Sequence, residues 1–325
     1  MQNVDSKRTL LDELPSICLL TFSYMAFISL TVYASDLGIW LAILLLIPVL
    51  VLHSSLQHEF IHGHPTSSQT FNDFLVSAPL SLFVPYIRFK DTHLAHHYDP
   101  NLTDPYDDPE SNFFDPKLWN TLPKWKQALC NFNNTLFGRM CVGPLIGLMS
   151  FYRDDLFALL KLNSRILLSY IHHGIGLVLL LLWFFEYATL PLWALVVASY
   201  LSMSVLKIRT FLEHMAHERV AARTVLIEDR GPLALLFLNN NYHAIHHSYP
   251  KLAWHKLRSK FYERKDDYLK RNGGYWFQSY WSVFRLYFFS RKDPVPHPLM
   301  DGFKSEQPSG PDTKGTIDAV EVRNS

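Results

Sequence analysis

The chain contains four long apolar segments, which are arranged in two pairs. They cover residues 17–34, 37–53, 166–185 and 190–206. Each is close to the roughly 20 residues that an α-helix needs to cross the hydrocarbon layer of a bilayer. Only Ser35 and Asp36 separate the first two segments, and a short polar turn at 186–189 separates the last two. The pattern predicts four transmembrane helices arranged as two helical hairpins.

Two further apolar segments, 71–87 and 131–151, are not predicted to span. The first contains Pro79 and Pro85, and the second contains Arg139 and Pro144. Prolines and charges of this kind are expensive in a helix that is exposed to lipid. We therefore expect the first segment to be re-entrant or to lie in the membrane interface, and the second to lie in the interface.

The distribution of charge predicts the orientation. Neither 17–87 nor 166–206 contains a single Lys or Arg, whereas 117–165 and the chain from Lys207 onward are rich in them. By the positive-inside rule the hairpin tips face outward, and both termini face the cytosol. The whole chain of 325 residues has 30 basic and 29 acidic side chains, and this balance argues against a nucleic-acid-binding protein.

Three clusters contain eight of the 16 histidines. They are His58-Glu59-Phe60-Ile61-His62, His93-Leu94-Ala95-His96-His97 and His243-Ala244-Ile245-His246-His247. Side chains three or four residues apart share one face of a helix, so each cluster points two or three imidazoles in one direction. This is the spacing of metal ligands.

Eight or nine convergent histidines are too many for one metal ion. First-row metals take about four to six ligands, so the clusters imply two ions, and imidazole-rich ligation suits iron or zinc. We predict His214 as the ninth ligand, because it follows the fourth apolar segment at a comparable depth. His64 lies beyond Gly63 and is not expected to be a direct ligand. Only three cysteines are present and none forms a CxxC motif, which argues against a thiolate site.

Imidazoles do not neutralise two divalent ions, so carboxylates are expected to accept their remaining ring N–H groups. We predict Glu59, Asp91 and Glu213 for this role. The acidic run at 104–110 either supplies further acceptors or forms a solvated Asp/Pro turn. The sequence leaves these two alternatives open.

The first cluster also reads HExxH, the motif that binds zinc in metalloproteases with its glutamate as general base. An intramembrane zinc metalloprotease using His58, Glu59 and His62 is therefore a distant alternative. Such an enzyme would leave the second and third clusters without a role.

The order HxxxH, HxxHH, HxxHH after paired apolar hairpins resembles the membrane fatty acid desaturase and hydroxylase superfamily. The resemblance covers about residues 17–260 and extends to Asn241 and Tyr242 before the third cluster. It implies an all-α membrane protein with four transmembrane helices, interfacial helices and a cytosolic di-iron cap. By similarity His214 is the additional ligand, although Thr210 stands where some relatives carry an asparagine. The acidic residues after the second cluster are closer to bacterial members, which implies the bacterial inner membrane.

The resemblance further implies two Fe ions and O2-dependent oxidation of a lipid acyl chain. Desaturation is the first expectation, and hydroxylation or ketolation by the same centre is the alternative. The sequence contains no His-Pro-Gly-Gly haem signature, so electrons are expected from a separate ferredoxin, rubredoxin or cytochrome b5 type of partner. The expected organisation is a cytosolic segment at 1–16, the membrane catalytic domain at 17–302 and a disordered tail at 303–325.

Overall fold

The computed structural model describes residues 10–301 and is mostly helical within them. The expected tail at 303–325 and residues 1–9 lie outside the described part. The α-helices are α1 (Leu10–Val32), α2 (Ala34–Leu37), α3 (Ile39–Ile61), α4 (Gln69–Val76), α5 (Tyr86–Tyr98), α6 (Pro116–Thr121), α7 (Lys124–Asn133), α8 (Leu136–Leu160), α9 (Ser164–Glu186), α10 (Leu192–Thr210), α11 (Pro232–Leu236), α12 (His243–Ser248), α13 (Trp254–Glu263), α14 (Lys265–Arg271) and α15 (Tyr280–Tyr287). A 3-10 turn covers Val220–Ala222, and β1 (Leu226–Ile227) pairs in parallel with β2 (Trp276–Phe277).

Four helices, α1, α3, α9 and α10, are long and apolar enough to cross a membrane, which confirms the predicted four-span architecture. Their bounds differ most from the apolar segments at two places. The first helix is already formed at Leu10, and Asp12 and Glu13 lie in its first turn, where carboxylates interact favourably with the helix dipole. The second spanning helix continues past residue 53 to Ile61 and so carries His58 on its last turns.

The segment at 71–87 does not form a spanning helix. It is divided between α4 and the start of α5, and the residues between them, including Pro79 and Pro85, are not helical. The side chain of Ser68 accepts the Phe71 N–H and fixes the start of α4. The segment at 131–151 enters α8, which is long but carries Arg139 and Asp155 and is not among the candidate spans.

The membrane core is built around α3. This helix packs against α1 on one side and α10 on another, and α8 packs on α10. Leu46 and Leu50 of α3 are fully buried in the cluster that joins α1, α3, α9 and α10. Because the last turns of α3 carry the first histidine cluster, the best-packed helix of the bundle also carries part of the site.

A buried ion pair attaches the helix of the second histidine cluster to the bundle. Arg88 of α5 donates through Nε and Nη2 to Asp155 of α8, at distances down to 2.7 Å. The hydroxyl of Tyr170 on α9 donates to the same carboxylate at 2.9 Å. These contacts fix α5 against α8 and α9, so that His93, which lies less than two turns beyond Arg88, has a defined position.

Candidate metal centre

Four separate elements bring the nine predicted histidines to one place. The end of α3 provides His58 and His62, and α5 provides the second cluster. His214 follows α10 in an extended segment whose backbone pairs with Thr224. The short helix α12 begins at His243 and contains the whole third cluster. Local helix geometry sets the spacing within each cluster, and packing of the helices brings the clusters together.

The nine side chains form two groups, each with ligand atoms within 4.8 Å of one another. Group 1 contains His58, His62, His93, His97 and His246, and group 2 contains His96, His214, His243 and His247. The second and third clusters therefore contribute to both groups. His96 and His97 are neighbours in sequence but point about 100° apart on the helix, and each enters a different group.

Distances between ring nitrogens fit ligation of an ion. Nε2 of His62 lies 3.1 Å from Nε2 of His93, and Nε2 of His97 lies 3.0 Å from Nε2 of His246. In group 2, Nε2 of His214 lies 2.9 Å from that of His96 and 3.2 Å from that of His243. Ligands bound at about 2.1 Å from one metal, roughly 90–110° apart, have nitrogens about 3.0–3.4 Å from each other.

Carboxylates at the outer nitrogens define which ring nitrogen faces inward. Nδ1 of His96 lies 2.7 Å from Asp108 Oδ1, and Nδ1 of His93 lies 3.0 Å from Glu110 Oε1. A carboxylate only accepts, so each Nδ1 carries the proton, and in the neutral imidazole the Nε2 lone pair then faces the centre. Several lone pairs that converge in this way repel one another unless a cation lies between them.

The outer nitrogens of two other group 2 rings have polar neighbours. Nδ1 of His243 donates to Asn240 Oδ1 at 3.2 Å, and the Asn240 amide donates to Glu213 Oε1 at 3.2 Å. Glu213 thus acts on His243 through Asn240, since the direct distance from Oε1 to Nδ1 is 3.8 Å. Nδ1 of His214 lies 3.4 Å from the Thr224 hydroxyl.

The structure places the other two predicted acceptors differently. Asp91 forms a double hydrogen bond with Arg165 of α9 at 2.9 Å, which corrects the prediction that it faces a ligand ring. The reason is helical geometry, because a residue two positions before His93 points to nearly the opposite side of α5. Glu59 Oε1 accepts the backbone N–H of Trp254 at 3.1 Å and lies 3.6 Å from His64 Nε2.

Asp108 and Glu110 accept hydrogen bonds from ligand rings, a role that the sequence left open for the acidic run at 104–110. The acidic run at 104–110 combines both alternatives, since Asp104 and Asp107 are solvated turn residues while Asp108 is 5% exposed. Asp108 also accepts the Thr103 and Glu110 backbone N–H groups, which orients its carboxylate. Its position directly after the second cluster is the sequence signal for this role. Asn240, three residues before His243, carried no comparable signal.

Burial keeps the third-cluster rings in the neutral form that binds metals. It lowers the pKa of His243, His246 and His247 well below the ordinary value, and the neighbouring imidazoles lower it further. Burial lowers the pKa of His96, but Glu110 and Asp108 raise it overall to about 9 when no metal is bound. A metal at Nε2 would displace the second proton of this ring. Burial would raise the pKa of the Glu110 carboxyl, but the charge of His96 and the hydrogen bond from His93 lower it overall. Glu110 therefore remains an anion beside the histidines.

The environment of His58 indicates whether the histidine nitrogens fit a metal. Nε2 of His58 is buried and has no hydrogen-bond partner among the described residues. An unpaired buried polar atom is costly, and ligation would remove that cost. Two groups of five and four imidazoles, with carboxylates behind them, fit two first-row ions such as iron.

Glu59 is not arranged as the base of a zinc protease. Its carboxylate accepts the Trp254 N–H, while His58 and His62 converge with three further histidines that such a protease would not use. His64, which was not expected to bind metal, donates through Nδ1 to Glu13 at 2.9 Å and lies in neither group. The HExxH motif of this chain is therefore part of a larger histidine site and not a zinc-protease site.

The fold and this site define an all-α integral membrane protein with a histidine-rich site that could hold metal ions. The family model described as fatty acid desaturase matches residues 37–279, most of the chain, and the protein belongs to this family. No curated protein matches the chain significantly. Membership in this family implies an oxidoreductase that acts on a lipid at a membrane. The family uses iron, and the histidine groups could hold it.

Proposed function

We propose that this protein is an O2-dependent di-iron enzyme that desaturates the acyl chain of a membrane lipid. The observation that carries the proposal is the division of nine buried or half-buried histidines into two adjacent groups. One iron would be held by group 1 and the other by group 2. When bound, the two irons supply the activation of O2 that is needed to attack an unactivated C–H bond.

The residues of the chain hold and isolate this centre. Asp108 and Glu110 orient the rings of His96 and His93, so that the inner nitrogens are fixed before a metal arrives. Phe60 and Leu56, both fully buried, belong to the apolar cluster that contains the end of α3. A dry environment of this kind limits loss of reactive species to water.

An apolar cavity of about 540 Å³ is the candidate groove for the acyl chain. It lies between α1, α3 and α11, and its lining includes Phe22, Ala26, Val49 and Leu235. Ser29 is the one lining residue with a polar side chain. A lining of this chemistry suits a hydrocarbon chain that enters sideways from the bilayer, because chain methylenes have no polar group to bind.

We place the metal centre on the cytosolic side, since the basic residues around Lys207 and 117–165 lie at the same ends of the spans as the histidines. A separate ferredoxin, rubredoxin or cytochrome b5 type of protein would then deliver electrons from the cytosol. The Lys- and Arg-free hairpin tips would face outward.

Mass spectrometry of lipids from cells with and without the protein tests the proposed reaction. Desaturation yields an acyl chain that is lighter by two hydrogens. Hydroxylation or ketolation by the same centre yields a product that contains an additional oxygen. A lipid profile that is identical with and without the protein, under conditions where it is present in the membrane with bound iron, contradicts the proposal.

A further inference from the structure

Four cations lie close together beside the metal centre, where α8 meets the end of α10. They are Arg139, Lys207, Arg209 and Lys292. Arg139 is 3% exposed, and the side chains of Arg209 and Lys292 are 10% and 8% exposed. Charges that are withdrawn from water to this extent are normally paired with an opposite charge.

Two of the four cations have a carboxylate partner. Nε of Arg209 lies 3.3 Å from Glu213 Oε1, but the two groups are not aligned for a hydrogen bond. Nζ of Lys292 lies 3.3 Å from Asp293 Oδ2 and donates to the backbone oxygen of His214 at 2.9 Å. Neither pair is saturated, because Nε and Nη1 of Arg209 and Oδ2 of Asp293 are buried without a hydrogen-bond partner among the described residues.

Arg139 and Lys207 have no carboxylate partner within residues 10–301. Arg139 donates only to neutral oxygens, the backbone of Asn133 at 2.9 Å and the amide of Asn112 at 2.6 Å. Lys207 lies within electrostatic range of Arg139, whose like charge repels it. The carboxylates that act on these four cations at longer range are Glu110, Glu213 and Asp293, so one positive charge remains unmatched at this junction. Two divalent metal ions nearby would increase that excess.

Glycines leave space around these two side chains. A Cβ at Gly143 would lie 2.9 Å from Cδ of Arg139, so the arginine can fold along α8 only because this residue is glycine. A Cβ at Gly147 would lie 3.6 Å from Nζ of Lys207, which places the ammonium against bare backbone of α8. The two side chains occupy the space that the missing Cβ atoms leave, so both cations lie directly against α8 where it meets α10.

This junction is next to the metal centre. Arg209 lies within electrostatic range of His58 and His93 of group 1 and of His243 of group 2. Lys207 is within range of Glu110 and Glu213, which neighbour the ligands. A molecule whose charged end reached the cations would thus hold the carbons beyond that end near the metals.

We propose that Arg139, Lys207, Arg209 and Lys292 form a binding site for the anionic end, a carboxylate or a phosphate, of the acyl substrate. The inference rests on the proposed function and adds that the substrate is an anionic amphiphile. A neutral hydrocarbon or alcohol would leave the cations unmatched. Charge-assisted hydrogen bonds to Arg and Lys are the strong kind, so the preference for an anion should be large.

Equilibrium binding of three ligands with the same chain length tests the site. The full-length protein with its metal is placed in nanodiscs without reductant, so that no turnover occurs, and titrated with radiolabelled palmitate, hexadecyl phosphate and hexadecanol. We expect at least one anion to bind about tenfold or more tightly than hexadecanol. The tighter of the two anions identifies the carboxylate or the phosphate as the natural group.

Variants at Lys207 test whether the preference for an anion over hexadecanol arises at this site. Lys207→Met should remove most of the tenfold preference while hexadecanol binding stays unchanged, and Lys207→Arg should retain the preference. Lys161→Met, at an exposed lysine that ends α8, is the matched control and should bind all three ligands as the wild type does. Unchanged hexadecanol binding and iron content show that each variant is folded.

Equal affinity of the wild type for all three ligands, or an undiminished anion preference in Lys207→Met, overturns the inference. Either result leaves the proposed function intact if the protein still contains iron and oxidises lipid. Conversely, an anion preference that depends on Lys207 in a protein without iron or oxidation supports the site and contradicts the proposed reaction.

Discussion

Asp108 Oδ1 lies 2.7 Å from His96 Nδ1, and both side chains are almost fully buried. This contact fixes the proton on the outer nitrogen and directs the inner nitrogen at His214. The contact links an acidic loop to a ring of group 2, and it makes the affinity for the metal depend on a residue that is not itself a ligand.

Asp108→Asn is expected to weaken metal binding by about 10–100-fold, because the amide keeps the shape but loses the charge that favours the proper tautomer. Iron retained per chain after challenge with a graded chelator series measures the effect. Asp107→Asn, at an exposed neighbour that contacts Asn101, is the control and should retain iron as the wild type does. Equal retention in both variants would show that Asp108 is not needed to orient His96.

Glu59→Gln is expected to reduce iron loading modestly and to leave measurable lipid oxidation. The glutamine oxygen can still accept the Trp254 N–H, while the negative charge beside His64 is lost. Iron content and product yield are measured together on the purified protein. In a zinc protease this carboxylate would be the essential base, so proteolytic activity that the wild type shows and Glu59→Gln loses at normal metal content would favour the HExxH alternative.

The sequence predicts those structural features that neighbouring residues determine, and it predicts poorly those that depend on contacts between residues distant in sequence. Hydropathy is a local property, and it predicted the four spanning helices and the absence of a span at 71–87. Helix spacing placed the members of each cluster on one face. The assignment of His96 and His97 to different groups depends on the packing of α5 against α3 and α12, which no local pattern contains. Asp91 was misplaced for a different, local reason, because two positions along a helix turn its side chain away from His93, and only its partner Arg165 is distant in sequence.

Ala26→Trp should fill the cavity between α1 and α3 and reduce oxidation of long acyl chains without removing iron. The indole would occupy space that the proposal assigns to the chain, so shorter chains should be affected less. Product yield is compared for a series of chain lengths. Trp40→Ala, at an exposed residue that does not line this cavity, is the control, and an unaltered chain-length profile in Ala26→Trp would exclude the cavity as the acyl groove.

Asp155→Asn should destabilise the protein because it leaves Arg88 as an uncompensated cation in a largely buried place. Removing one partner of such a pair typically costs about 3–5 kcal/mol, and the slight exposure of Arg88 makes the lower end the better estimate. Thermal unfolding in detergent measures the loss. Asp154→Asn alters a pair with Arg153 that is exposed to solvent, and its melting temperature should stay near that of the wild type. Equal melting temperatures for the two variants would mean that the Arg88 pair does not stabilise the helix junction.

The amount of iron per chain tests the central claim most directly. We expect two irons in the wild type and substantial loss, together with loss of lipid oxidation, in His246→Ala of group 1 and His247→Ala of group 2. His172→Ala, at an exposed position on α9, should retain both irons. A single zinc per chain, with activity that survives His246→Ala, would contradict the account.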